Sequence, residues 1–140
     1  MIQLPRLPAQ LPKTQQDWSA FLTAMQQWQT LLQGDSWTAT TLLNSWAYDG
    51  APFNPIGYRM DITGRVWMRG MLTAGTSGTV AFTLPYAPAY QQQLPGICAL
   101  GGIYGSGAIV VHTNGDVLPF YNSGTLNWIS LDGLSFSLSP

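Results

Sequence analysis

The amino-acid sequence predicts a mainly β protein: an N-terminal extended arm and a short trimeric coiled-coil helix, followed by an antiparallel β-sandwich, jelly-roll-like head. Three observations predict it. From Trp37 onward the chain is a series of short β-branched and aromatic runs punctuated by Gly, Asn, Asp and Pro. A single stretch, between Thr14 and Gln33, carries apolar residues at helical spacing. Ahead of it, Pro5, Pro8 and Pro12 keep the first turns of chain out of any helix.

The arm comprises residues 1–14, MIQLPRLPAQLPKT. Its prolines hold the backbone extended, and Ile2, Leu4, Leu7 and Leu11 offer apolar contacts for lying across a neighbouring protein. The alternative is an ordinary disordered terminus.

The helix is expected over residues 15–34. Thr14 can accept from the backbone N–H three residues on, and Asp17 at that position completes a capping box. Trp18, Phe21, Met25, Trp28 and Leu32 then step by 3, 4, 3 and 4, the seam of a coiled coil, with Gln, Ser and Thr opposite. So short a helix is unstable alone, and bulky aromatic seam residues suit a core wider than a dimer's, which points to a trimer. The alternative is a stripe that packs on its own β-domain.

The head spans residues 36–140. Tyr58 to Ile62 alternates, turns near Thr63-Gly64 and returns as Arg65 to Arg69, a hairpin with one apolar face. Thr79 to Leu84 reads as a strand ending at Pro85, and Pro85 to Pro95 as a long connection. Ala108 to His112 and Val117 to Tyr121 flank Asn114-Gly115, a pair suited to a type I′ turn. Gly124 to Leu131 and Leu134 to Leu138 supply the last strands.

Composition narrows the function. Charged residues make up 8% of the chain, and the net charge is −1. A surface this neutral suits one largely covered by identical copies. It lacks the basic footprint of a nucleic-acid binder, and no apolar stretch or basic leader suggests membrane insertion or secretion, so synthesis in a cytoplasm is expected. Cys98 is the single cysteine and lies in an apolar run, as a buried hydrophobe would. His112 is the single histidine, so only a ring of three copies could build a histidine metal site. The six Asp and absent Glu leave a thin supply for acid–base hydrolysis, and each Asp has a local role as turn former or ion-pair partner, Asp61 with Arg59 among them. No catalytic residue, metal or cofactor is expected.

The aromatic residues, six Trp, six Tyr and five Phe, serve core, interface or sugar stacking. Tyr104, His112, Asn114, Tyr121 and Asn122 fall at hairpin ends and form the candidate ligand surface. Arg59, Arg65 and Arg69 share the polar side of the first hairpin with Trp67; they would grip an anionic glycan or pair with Asp61 and a neighbouring subunit.

The arrangement Gly57-Tyr58-Arg59-Met60-Asp61, Gly64-Arg65-Val66, Gly70 and Phe82-Thr83-Leu84-Pro85 resembles the C-terminal domains of bacteriophage tail-fibre and baseplate receptor-binding proteins. The stretch around Trp46 and the turn Asn114-Gly115-Asp116-Val117 extend the likeness over residues 36–138; it departs after Pro85, at Tyr86-Ala87-Pro88. The resemblance implies a virion protein: a short homotrimeric fibre or baseplate tip that docks on other phage structural proteins through its arm and binds host surface polysaccharide without turnover. Capsid decoration, as a cement or head-fibre protein, and a lectin-like carbohydrate-binding module are the competing readings, and a polysaccharide depolymerase is the enzymatic one.

Overall fold

The computed structural model describes residues 12–139, so Leu4, Leu7, Leu11 and most of the arm lie outside the described residues. Helix α1 covers Gln15–Gln33 and starts as the sequence predicts: Thr14 is extended, its hydroxyl accepts from the Asp17 N–H, and the Asp17 carboxylate accepts from the Thr14 N–H. It ends at Gly34 with φ +74°, a left-handed conformation suited to glycine. Any Cβ there would press within 2.8 Å of the Asp61 backbone. The Asp35 N–H bonds to the Met60 carbonyl, so the end of the helix is moored to the first hairpin of the head.

Eleven strands follow: β1 (Thr38–Ala39), β2 (Ala47–Tyr48), β3 (Gly57–Met60), β4 (Arg65–Arg69), β5 (Met71–Thr73), β6 (Phe82–Thr83), β7 (Gln92–Leu100), β8 (Ile103–Val111), β9 (Asp116–Phe120), β10 (Leu126–Ser130) and β11 (Ser135–Ser137). All pairings are antiparallel. They build a small sheet in the order β1-β3-β4-β11 and a large one in the order β2-β5-β10-β7-β8-β9-β6. The two sheets share one core. Val66, Met68 and Phe136 from the small sheet meet Leu72, Phe82, Cys98, Ile109, Val111, Val117 and Ile129 from the large one, all of them buried. Period-two alternation is the cause: every second residue of β4, iBiBi in burial, points inward. Burial also pushes the Cys98 thiol pKa up, as fits an inert core residue.

The structure corrects four expectations. The large sheet is not a jelly roll's, because β7, β8 and β9 are successive hairpin neighbours within it. The strand expected over Thr79 to Leu84 is reduced to β6, although Ala81 and Leu84 still bond outward to Val117 and Gly115. Pro95 is not part of a connection; it sits inside β7, opposite Ala108. A proline is tolerated there because β10 pairs with β7 only at Cys98 to Leu100, leaving the other edge of β7 at Pro95 without a partner strand that needs its N–H. Finally, Asn114-Gly115 is not a type I′ turn, which needs positive φ at both central residues. Only Gly115 has it, at +94°; the Gly115 N–H bonds to the His112 carbonyl and the His112 N–H to the Asp116 carbonyl. The first hairpin repeats this geometry, with Gly64 at +82° bonded to Asp61, and Asp61 bonded to Arg65. In both, a tight turn is followed by a glycine bulge.

Candidate functional site

The candidate ligand surface read from hairpin ends does not form one patch. Tyr104 is near the start of β8 and His112 follows its end, about 27 Å apart along an extended strand. His112 and Asn114 belong to the turn, where the Asn114 side chain and Asp116 bond to each other and close the loop. Tyr121 is committed to packing: its hydroxyl donates to the Gly75 carbonyl, its N–H to the Ser77 hydroxyl, and its ring stands edge-on to Trp46, 6.4 Å between centroids. Asn122 lines a shallow cleft with Ser106, Ala108 and Phe120. Of the five residues, Tyr104 alone is an exposed ring, 75% accessible, leaning edge-on against Trp128 at 5.5 Å.

Strand alternation gives the large sheet an outer face that carries Met71, Ile97, Tyr104, Ala108, Leu118, Phe120 and Trp128. Ile97, Tyr104 and Trp128 line an apolar cleft with Phe53, Met71 and Ser130. The face's charge is confined to Asp116 at its margin, where the carboxylate accepts from the Thr83 hydroxyl.

The small sheet presents the opposite character. Arg59 of β3 stands across from Trp67 of β4, and Arg69 across from Gly57. Trp37, one residue before β1, continues the register and reaches both cations: the guanidinium carbons of Arg59 and Arg69 lie 5.1 and 4.5 Å from its ring centroid. Gly57 has no side chain to fill the gap between Trp37 and Arg69; an added Cβ would come within 3.7 Å of the Arg69 Nε and 3.0 Å of the Thr38 carbonyl. Arg65 lies 6.0 Å from the Trp67 ring and donates from Nε to the Ser135 hydroxyl. The result is a ladder, Arg69, Trp37, Arg59, Trp67, Arg65, in which cation and indole alternate.

Asp61 does not pair with Arg59 as expected. Its carboxylate accepts from the Thr63 hydroxyl and N–H, the Arg65 N–H and the Trp67 indole N–H. These bonds, led by the Thr63 hydroxyl and Trp67, hold its pKa down to about 2. Asp61 thus closes the turn and fixes Trp67. The Nε atoms of Arg59 and Arg69 are buried with no hydrogen-bond partner among the described residues.

On the helix, the seam is split. At about 100° per residue, the apolar arc from Leu22 through Trp18, Met25, Leu32, Phe21, Trp28 and Ala24 to Leu31 covers about half the circumference. Ala24 is buried and Phe21, Trp28 and Leu31 are half-buried, whereas Trp18, Leu22, Met25 and Leu32 are 50, 55, 41 and 62% exposed. Among the described residues no helix is long and apolar enough to cross a membrane.

Among the described residues these features define a two-sheet antiparallel β head behind one helix, with two outer faces of unlike chemistry that carry shallow clefts. Among solved structures, the chain is similar to the crystal structure of the receptor binding protein (gp15) of Listeria phage PSA, with a TM-score of 0.66 over 89% of this chain and 80% of that one. At 16% identity the likeness is one of fold. No family model and no curated protein matches the sequence.

Proposed function

We propose that this chain is a bacteriophage virion protein, a short homotrimeric tail fibre or baseplate tip, that attaches to host surface glycan without turnover. The observation that carries the reading is the shared fold with a phage receptor-binding protein over nearly the whole chain. The molecule's own features agree with it. The exposed half of the helical arc, Trp18, Leu22, Met25 and Leu32, is what the same arc of other copies would cover. The carboxylates of Asp61, Asp116 and Asp132 are each taken up by local donors, so a binding role fits them better than hydrolysis. Open faces and shallow clefts suit a polymer lying across the head.

The test is binding of the fluorescently labelled protein to intact bacteria from a strain panel, before and after periodate oxidation of surface sugars. Saturable binding to some strains, lost on oxidation and without release of reducing sugar, is the expected outcome. Binding to undecorated capsids instead of cells would replace receptor binding with a cement role, and release of reducing sugar would make the protein an enzyme.

A further inference from the structure

We infer that the outer face of the small sheet is an oxyanion site, gripped by Arg59 and Arg69 and extended by Arg65, that takes a phosphodiester or carboxylate carried on a host surface polymer. The source of the anion rests on the receptor-binding reading; the site itself rests on the arginine ladder.

Charge balance is the first argument. All three arginines of the head stand on this face, and no lysine lies beyond residue 13. The carboxylate at its margin, Asp61, is held by Thr63 and Trp67 and, among the described residues, forms no ion pair with any of them. Clustered cations repel, and a counter-charge placed on the face relieves that repulsion.

Geometry is the second. Stacking on Trp37 holds the Arg59 and Arg69 guanidiniums on one rigid indole. A guanidinium so held loses less freedom when it takes an oxyanion through two parallel N–H bonds, which favours binding. Among the described residues neither guanidinium makes a side-chain hydrogen bond, and both Nε donors are enclosed without an acceptor. Arg65 is different. It is tied to Ser135, so it adds field and reach rather than the grip.

The contrast with the large sheet is the third. Copies that met through the small-sheet face would bring unpaired arginines together, at a large desolvation and repulsion cost. The large-sheet face, charged only at Asp116 on its margin, carries no comparable penalty. The arginine ladder is therefore the less suited of the two faces to meet another copy.

Two measurements test the inference. In the first, the arginine Nε–H resonances of the full-length protein are followed by NMR during titration with dimethyl phosphate and, separately, sodium acetate, with sodium chloride at matched ionic strength as control. Saturable shifts of the Arg59 and Arg69 signals with at least one oxyanion and not with chloride are expected, and the anion that saturates at lower concentration identifies the source as phosphodiester or carboxylate. Shifts no different from those in chloride would overturn the site. In the second, an Arg59→Gln/Arg69→Gln variant, its fold checked by near-UV circular dichroism, is compared with wild type and with Lys13→Gln for binding to intact cells. A loss of at least tenfold in affinity for the double variant, with Lys13→Gln unchanged, is expected. If wild type and the double variant bind cells equally, the oxyanion site is wrong and the receptor-binding reading stands; if wild type binds no cells while the resonances still saturate, the reverse holds.

Discussion

The two outer faces of the head are built by the same rule and end with opposite chemistry. Each is the set of residues that strand alternation turns away from a common core. On the large sheet that set includes Met71, Ile97, Tyr104, Phe120 and Trp128 beside the uncharged polar Thr73, Gln93, Ser106 and Ser130; on the small sheet it includes Arg59, Arg65, Trp67 and Arg69 beside Ser135 and Ser137, with Trp37 added from beyond the edge strand. In an antiparallel sandwich the outward residues are normally polar because water is their neighbour. An outward set rich in apolar side chains on one side and built of arginine and tryptophan on the other suits two different neighbours in the proposed assembly: like surfaces of other copies for the first, an anion for the second.

The comparison would break most completely if the faces did not share one core. Phe136 of the small sheet packs into that core with Leu72 and Ile129 of the large one. Phe136→Ala should cost roughly 3–5 kcal/mol and lower the stability of both sheets in a single transition, followed by chemical denaturation with tryptophan fluorescence and circular dichroism. Two separate transitions would show that the sheets are independent.

A smaller effect separates the hairpins of the two sheets. Gly64 and Gly115 share one backbone conformation, but a Cβ at Gly64 meets nothing within 4 Å while one at Gly115 would lie 2.5 Å from the Leu84 carbonyl oxygen and 2.7 Å from that of Tyr86. Gly64→Ala should therefore cost only the conformational strain, about 1–2 kcal/mol, and Gly115→Ala clearly more. Equal losses in melting temperature would mean that backbone conformation alone sets both.

The smallest effect sharpens the account of Asp61. Its folded pKa of about 2 lies below the ordinary 3.8, so the stability that its hydrogen bonds provide is present above about 3.8 and is lost as pH falls toward 2. The stability gap between wild type and Asp61→Asn should be constant above pH 4 and shrink between pH 4 and 2, measured by thermal melts across that range. A gap independent of pH would mean that the carboxylate's charge contributes nothing to the turn.

What was legible in the sequence was what depends on neighbours along the chain. The capping box at Thr14 and Asp17, the hairpin from Tyr58 to Arg69 and the burial of Cys98 are local in this sense, and the structure has them. The longest hairpin, β7 with β8, was hidden because its signals contradict strand propensity. Pro95 sits within it at an unpaired edge, Gly101 and Gly102 turn it, and Gly107 is required by the approach of the Phe120 carbonyl rather than by any turn. The site was half legible. Arg59, Arg65, Trp67 and Arg69 fall on one side of one hairpin by simple alternation, but Trp37 joins them through a register between β1 and β3 that no local pattern announces. Tyr104 and His112 both fall at hairpin ends, but at opposite ends of the same strand, which the sequence pattern alone does not reveal.

The central claim is that copies of this chain assemble and leave the arginine face outward, and the most direct test is the molar mass of the full chain in solution, by light scattering on a size-exclusion column at micromolar concentration. The account predicts a mass near three times 15.2 kDa, falling to 15.2 kDa when the exposed helical arc is broken by Leu22→Asp with Met25→Asp. A wild-type mass of 15.2 kDa would contradict it, because nothing would then cover the helical arc or the apolar face of the large sheet.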